Sequence, residues 1–313
     1  MKRVSRAIRY SAIGVFFSGL VSVLAGCTAR EGTLFAALLF LLNFCSVPTP
    51  DGDNGQNILN LPPGFVYFAD IFSNSDILAC DPLDCDNTLV TINDGSAGTG
   101  MTFINDILYW FGDGGAFGGS GSASGLFCDP ESCGTPTALA GLPVGLGITS
   151  IGTTLFGATQ EAIHSCDVNN CAGTVSLVVD LTGQTPTDII SDGVTNIYWT
   201  DLVSGNLQTC DVTACTPSTI ASNAHIGMTL SGSTLYWSGG NDIQSCDVSN
   251  CVGTLTTVIA LADDATGIDF RSGLLYWGDE DGNLNACDPA DCLNTRNVLT
   301  TAPDFVGDVV FGP

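Results

Sequence analysis

Six copies of a Cys-Asp-x-x-x-Cys signature, a spacing near 40 residues, and four short β-type runs in each interval predict an all-β chain, a six-bladed β-propeller of four-stranded antiparallel blades. The signatures begin at residues 80, 128, 166, 210, 246 and 287, so successive starts lie 48, 38, 44, 36 and 41 residues apart. No interval holds a periodic run long enough for an amphipathic helix. A single four-stranded sheet cannot cover both of its faces. Stacking six of them radially buries apolar side chains between neighbours and makes one domain of all the copies.

The elements of a unit follow in a fixed order. Strand A is a short alternating run such as "GITSI", "GMTLS" or "GIDFR", ending in a turn like "SGST" or "RSG". Strand B carries an aromatic pair: "VYFAD", "LYWFGD", "LFGAT", "IYWTD", "LYWSGG" and "LYWGDED". Strand C ends at the first cysteine, with an aliphatic residue three positions earlier in five units: Ile77, Ile163, Leu207, Ile243 and Leu284. The second unit breaks this register with Leu126. The second cysteine is expected to open strand D, a β-branched run such as "TLVTI", "TVSLVV" or "TLTTVI". The aspartate after each first cysteine sits at the start of a tight turn, where its side chain is expected to accept from the backbone two residues on.

The Tyr-Trp-x-Asp element, complete in Tyr198-Trp199-Thr200-Asp201, resembles the YWTD repeat of the low-density-lipoprotein-receptor type. That resemblance implies a six-bladed propeller over residues 58–313. The third unit, "LFGAT", lacks Tyr, Trp and Asp, and the fifth has Gly239 where the aspartate is expected. The closing segment "VGDVVFGP" resembles strand A alone, so residues 309–311 are expected to supply the innermost strand of the first blade. "ILNL" at 58–61 competes for that slot.

The amino-terminal region bounds the compartment. A basic stretch, "MKRVSRAIRY", precedes the apolar run "SAIGVFFSGLVSVL" and then Leu24-Ala25-Gly26-Cys27, which resembles the lipobox of bacterial lipoproteins. Carried over, the resemblance makes residues 1–26 a signal peptide and Cys27 the acylated first residue. Residues 27–57 then hold a second apolar run, "LFAALLFLLNF" at 34–44, and a Pro/Gly/Asp-rich tether. Eleven apolar residues are too few to span a bilayer as a helix. Cys45 is left without an assigned role. The expected location is the outer membrane or cell surface, or the periplasmic side of the envelope, with the bilayer engaged through the anchor.

In an exported chain, twelve cysteines in six identical local pairs read as six disulfides: Cys80–Cys85, Cys128–Cys133, Cys166–Cys171, Cys210–Cys215, Cys246–Cys251 and Cys287–Cys292. Thiolate metal sites need two pairs converging on one ion, and pairs spaced around a ring do not converge. The two histidines, His164 and His225, are far apart in sequence and suggest no metal site.

Charge excludes some partners. The formal net charge is −25, and beyond the first nine residues the only bases are Arg30, Arg271 and Arg296 against 32 acids. Nucleic acid needs a basic footprint that this chain lacks. The B–C and D–A loops share one propeller face, rich in aspartate, where Asp113, Asp201, Asp242 and Asp264 are the binding candidates for a cationic ligand or an unknown protein. Asp113 opens the long "GDGGAFGGSGSASG" loop. Calcium is the one cofactor offered, at the alternate oxygens of Asp279, Asp281 and Asn283, although the glutamate of a full calcium loop is missing. No phosphate loop or nucleophile–base arrangement stands out. Asp188, Asp269 and Asp308 are scattered channel candidates should the chain be a metal-dependent lactonase or hydrolase. The leading expectation is a binding or protein-interaction module, with a structural surface component as the alternative.

Overall fold

The computed structural model describes residues 64–71, 76–93, 95, 98, 100–112, 125–261, 264–302 and 305–313. Cys27, Cys45, the apolar run at 34–44, residues 58–61 and Asp113 lie outside the described residues.

The fold is a six-bladed β-propeller, each blade four antiparallel strands. Strands β1 (Val66–Asp70), β2 (Asp76–Cys80) and β3 (Val90–Asn93) form the outer part of blade one. Blade two is β4 (Met101–Ile104), β5 (Ile107–Phe111), β6 (Gly125–Cys128) and β7 (Thr137–Leu139). Blade three is β8 (Gly145–Ile151), β9 (Thr154–Thr159), β10 (Ala162–Asp167) and β11 (Ser176–Asp180). Blade four is β12 (Pro186–Ser191), β13 (Asn196–Asp201), β14 (Asn206–Asp211) and β15 (Ser218–Ser222). Blade five is β16 (Met228–Ser231), β17 (Thr234–Ser238), β18 (Asp242–Asp247) and β19 (Thr256–Ala260). Blade six is β20 (Ala265–Arg271), β21 (Leu274–Asp279), β22 (Asn283–Cys287) and β23 (Asn297–Thr301). The last strand, β24 (Val306–Phe311), pairs with β1 through Phe68↔Val309 and Val66↔Phe311 and becomes the innermost strand of blade one. The slot contested in the sequence is therefore filled by the carboxyl-terminal segment.

Packing between blades explains why the aromatic pair recurs. Trp110, Trp199, Trp237 and Trp277 are fully buried. In three blades the tyrosine of the pair reaches the inner strand of the next blade. Tyr67 meets Phe103, Tyr236 stacks on Phe270, and Tyr276 meets Phe311, with ring centroids 5.0, 5.7 and 4.6 Å apart. The hydrophobic clusters accordingly span neighbouring blades, as where blade-six Tyr276 and Leu284 pack with Val66 and Val309 of blade one. Each such aromatic removes roughly 150–250 Å² from water, so the seams between blades are where the apolar stabilisation concentrates.

Two sequence irregularities have structural counterparts. The C–D pairing slips by one residue directly after the aliphatic position in blades one, three, four, five and six, for instance between Leu207 and Gln208. Blade two, whose Leu126 breaks the sequence register, pairs β6 with β7 without a bulge. The second difference corrects an expectation. The second cysteine does not open strand D. In four blades it opens a single helical turn: α1 (Cys85–Thr88), α2 (Cys171–Thr174), α3 (Cys251–Thr254) and α4 (Cys292–Thr295). Blades two and four carry Pro136 and Pro217 in the matching segment and have no such turn, because proline lacks the amide a helical turn needs and disfavours helix in the residue before it.

Candidate functional site

At the outer rim all six Cys-x4-Cys pairs are disulfide-bonded, with Cα–Cα distances from 4.8 to 5.4 Å. Every aspartate after a first cysteine makes the expected turn. Asp81, Asp129, Asp167, Asp211, Asp247 and Asp288 each accept from the amide two residues on, at 2.8–2.9 Å. Hydrogen bonds from Asn169, Thr213 and Ser249 hold Asp167, Asp211 and Asp247 below the usual carboxylate range. In the blades with a helical turn, a threonine completes the knot. Thr174 Oγ1 accepts from Asp167 N at 2.9 Å and donates to Asn170 O at 2.9 Å, and Thr88, Thr254 and Thr295 repeat the pattern. These carboxylates are occupied in holding loops.

The opposite face carries the sequence-derived binding candidates, and the structure divides them. Asp201 is fully buried, and its carboxylate accepts from the amides of Thr185, Val203 and Ser204 and from Ser204 Oγ. Burial works to raise its pKa, but these donors outweigh it and the group lies below the usual range. Asp279 is likewise buried and accepts from Asn283 N, Asn283 Nδ2 and Asn285 Nδ2. Arg296 approaches Asp279 at 3.9 Å while bonding Asn285 Oδ1 and lying 5.6 Å from the Trp277 ring centre. The Asp279–Asn283 pair is therefore joined through an amide donor with a guanidinium beside it, and Asp281 stays exposed outside the knot. Among the described residues no group of three His, Cys, Asp or Glu side chains is arranged to hold a metal ion. Asp242 and Asp264 are half-buried in blade five and at the entry to blade six. Asp242 Oδ2 accepts from Gln244 Nε2, whereas its Oδ1 has no partner among the described residues.

His164 meets Thr159 Oγ1 through Nδ1 at 3.0 Å, and burial pushes its pKa down. His225 lies in another blade, its amide bonded to Ser238 O.

The channel is where the structure brings together what the sequence scattered. In each inner strand, one residue precedes the position paired with the second member of the strand B pair. Around the ring from blade one to blade six, that residue is Asp308, Gly100, Gly147, Asp188, Gly227 and Gly267. The two aspartates sit three blades apart. The glycines are steric requirements: a Cβ on Gly267 would lie 2.3 Å from Asp308 Cα, and one on Gly100 would lie 2.5 Å from Leu146 O.

Each aspartate reaches the amide just past the next blade's glycine. Asp188 Oδ2 accepts from Met228 N at 2.8 Å, and Asp308 Oδ2 accepts from Met101 N at 2.5 Å. Asp269, two positions past the ring glycine Gly267 of its strand, accepts from Thr229 Oγ1 of blade five and from Phe311 N of blade one, at 3.1 and 2.9 Å. The three carboxylates border a cavity of about 130 Å³ with Thr102, Thr149 and Thr229. Burial is the main cause raising all three above the ordinary carboxylate range. Asp188 rises to about 7, and the charge of Asp188 adds to the rise at Asp308. Sequence reasoning named these residues without joining them. Aligning the inner strands on the aromatic pair would have revealed the aspartate–glycine ring.

Together the rim and channel define a disulfide-stapled six-bladed propeller with an acidic centre. No protein-family model matches the chain, and no curated protein matches it. Solved structures do match, 1181 chains in all, a breadth that defines an architecture and selects no function. One is a chain of the crystal structure of a nidogen/laminin complex, with TM-score 0.66 and 18% identity, covering 80% of this chain and 98% of that one.

Proposed function

We propose that the chain is an exported envelope lipoprotein of the YWTD-propeller type, acting as a protein-interaction module. Residues 1–26 are the signal peptide, Cys27 bears the lipid, residues 27–57 tether, and residues 58–313 recognise a partner. The size of the channel cavity carries this reading. At about 130 Å³ it is well below the roughly 300–1,000 Å³ of small-molecule sites. Its carboxylates are already bonded to backbone amides, which argues against a substrate site for hydrolysis. Recognition therefore falls to the outer surface. The solved nidogen/laminin complex supports a propeller engaged with another protein. The six disulfides fit an oxidising compartment.

The face bearing Asp242 and Asp264, to which the sequence pattern also assigns Asp113, is the proposed binding surface for a basic protein or another cationic ligand. Two experiments test the proposal. Intact mass of chain extracted from its native membranes should show an acyl increment on Cys27 and twelve thiols that react only after reduction. Crosslinking in envelopes should then trap a partner with the native chain and lose it in an Asp242→Asn/Asp264→Asn variant and at high salt. Capture that survives both changes moves the interaction to another surface.

A further inference from the structure

β24 reaches its blade differently from every other inner strand. The other five run along the chain directly into the strand they pair with, whereas β24 follows blade six and is held in blade one by its ladder with β1. It carries Asp308, which ties it forward to Met101 of blade two. The equivalent bond, Asp188 to Met228, lies three blades away. Both carboxylates border the same small cavity as Asp269, and no basic side chain lines it.

We propose that β24 is a pH-operated latch: the ring stays closed while the Asp188–Asp308 pair retains a proton, and when both ionise β24 is the strand that leaves blade one. Two half-buried carboxylates facing one cavity without a counter-charge on its lining resist full ionisation. Burial raises both, and their charges act on one another or through Asp269. Relief by moving β12 would disturb its direct connection into β13. Relief by moving β24 breaks its ladder with β1, the bond from Met101 N, and the bonds of Phe311 N to Asp269 and of Thr266 Oγ1 to Val306 O, but no covalent connection into its blade.

The elements packed around the pair bring the following other groups. β4, β8 and β16 present no titratable side chain. β20 brings Asp269, raised chiefly by burial, and Arg271, whose charge acts to lower it. β1 brings Tyr67 and Asp70, β21 brings Tyr276 and Asp279, and β13 brings Tyr198 and Asp201. Burial raises all three tyrosines, Tyr67 to about 12, and loop donors keep Asp201 low, which moves these four away from neutrality.

Hydrogen exchange of the full chain, corrected for the intrinsic pH dependence, tests the latch. Protection of residues 306–311 should fall as pH rises from the ordinary aspartate value of 3.8 towards the raised values of the pair, about 7 for Asp188, by up to roughly tenfold per pH unit for each group, and level off beyond them, while β8 to β11 of blade three keep theirs. Asp188→Asn leaves β24 unaltered and should abolish the fall. Equal protection at all pH values, an unchanged fall in Asp188→Asn, or simultaneous loss in all six blades would overturn the latch. Should that variant not fold, carboxyl carbon-13 titration of the native chain decides. An aspartate titrating near neutrality in step with the loss at 306–311 upholds the proposal, and aspartates all titrating in their ordinary range sink it.

Discussion

At the rim each blade closes on itself: the bond from Asn169 N to Asp167 spans two residues and each disulfide spans five. At the channel the blades close on one another, through bonds spanning 40 residues from Asp188 to Met228 and 207 from Met101 to Asp308. The rim's motif is repeated, so losing one copy leaves five. The channel is assembled once from all six inner strands, so a single change there is felt by the whole ring.

The comparison is put under most strain by Gly267→Ala. Its methyl would meet backbone atoms of β24, Asp308 Cα at 2.3 Å and Val309 N at 2.5 Å, and backbone cannot rotate aside as a side chain can. We expect a loss of about 3 kcal/mol or failure of the ring to close, read from the denaturant midpoint. Gly152→Ala, at a rim-side turn with open space around it but φ +59°, should lose only about 1 kcal/mol. Equal losses would refute the view that the channel is the tighter region.

The second effect is the pH dependence, where the two regions pull in opposite directions. Asp188 rises on folding from 3.8 to about 7, so its stabilisation is complete below pH 3.8 and is lost as pH climbs through 7. Loop-bound Asp192 and Asp201 are lowered, so their stabilisation is present above 3.8 and is lost as pH falls below it. For both, burial opposes the donors that win. Thermal stability should therefore peak between about pH 4 and pH 7. Asp188→Asn, which removes the ionisable group together with one of the two amide bonds its carboxylate accepts, from Ile189 N and Met228 N, should lower stability in acid but flatten the alkaline side. An alkaline limb unchanged in that variant would place the titration elsewhere.

The same contrast explains what could be read from the sequence. Blade number, strand order, disulfide partners and aspartate turns are local and repeated, so spacing alone exposes them. Ring closure was legible only as a preference: the final segment matches strand A and nothing else, but "ILNL" at 58–61 offered a second candidate for the same slot. The helical turns were missed because four residues such as Cys171-Ala172-Gly173-Thr174 carry no measurable period. The usable signal was negative: Pro136 and Pro217 mark the two blades without them. Asp188 and Asp308 were visible as residues, but their meeting depends on strand alignment across the ring. Asp201 drew notice as part of a loop on the acidic face, and the fold turns its carboxylate inward onto Thr185, Val203 and Ser204.

Removing one disulfide should have a moderate effect. Opening a loop this short forfeits about 2 kcal/mol by the chain-entropy estimate. Cys210→Ala/Cys215→Ala should lose most of that, because blade four has no helical turn beyond the second cysteine. Cys166→Ala/Cys171→Ala should lose less, since α2 and Thr174 still hold the hairpin. Denaturant midpoints of the two variants rank them, and the reverse order would show that the turn depends on the bridge.

The smallest change probes that turn directly. Thr174→Val keeps the side-chain size and the bridge but removes both bonds of Oγ1, to Asp167 N and Asn170 O. These bonds lie at the surface, where water replaces them in part, so the loss should be about 1 kcal/mol. Hydrogen exchange should quicken at Asp167 and Val175 and nowhere in blades one or four. A loss confined in this way means that each rim knot is an independent local unit, six parallel supports beneath a single shared closure. A loss that spread to blade four would mean instead that the rim transmits strain between blades, through contacts such as those α3 makes with β15 of the preceding blade, and the division between a local rim and a cooperative channel would have to be redrawn.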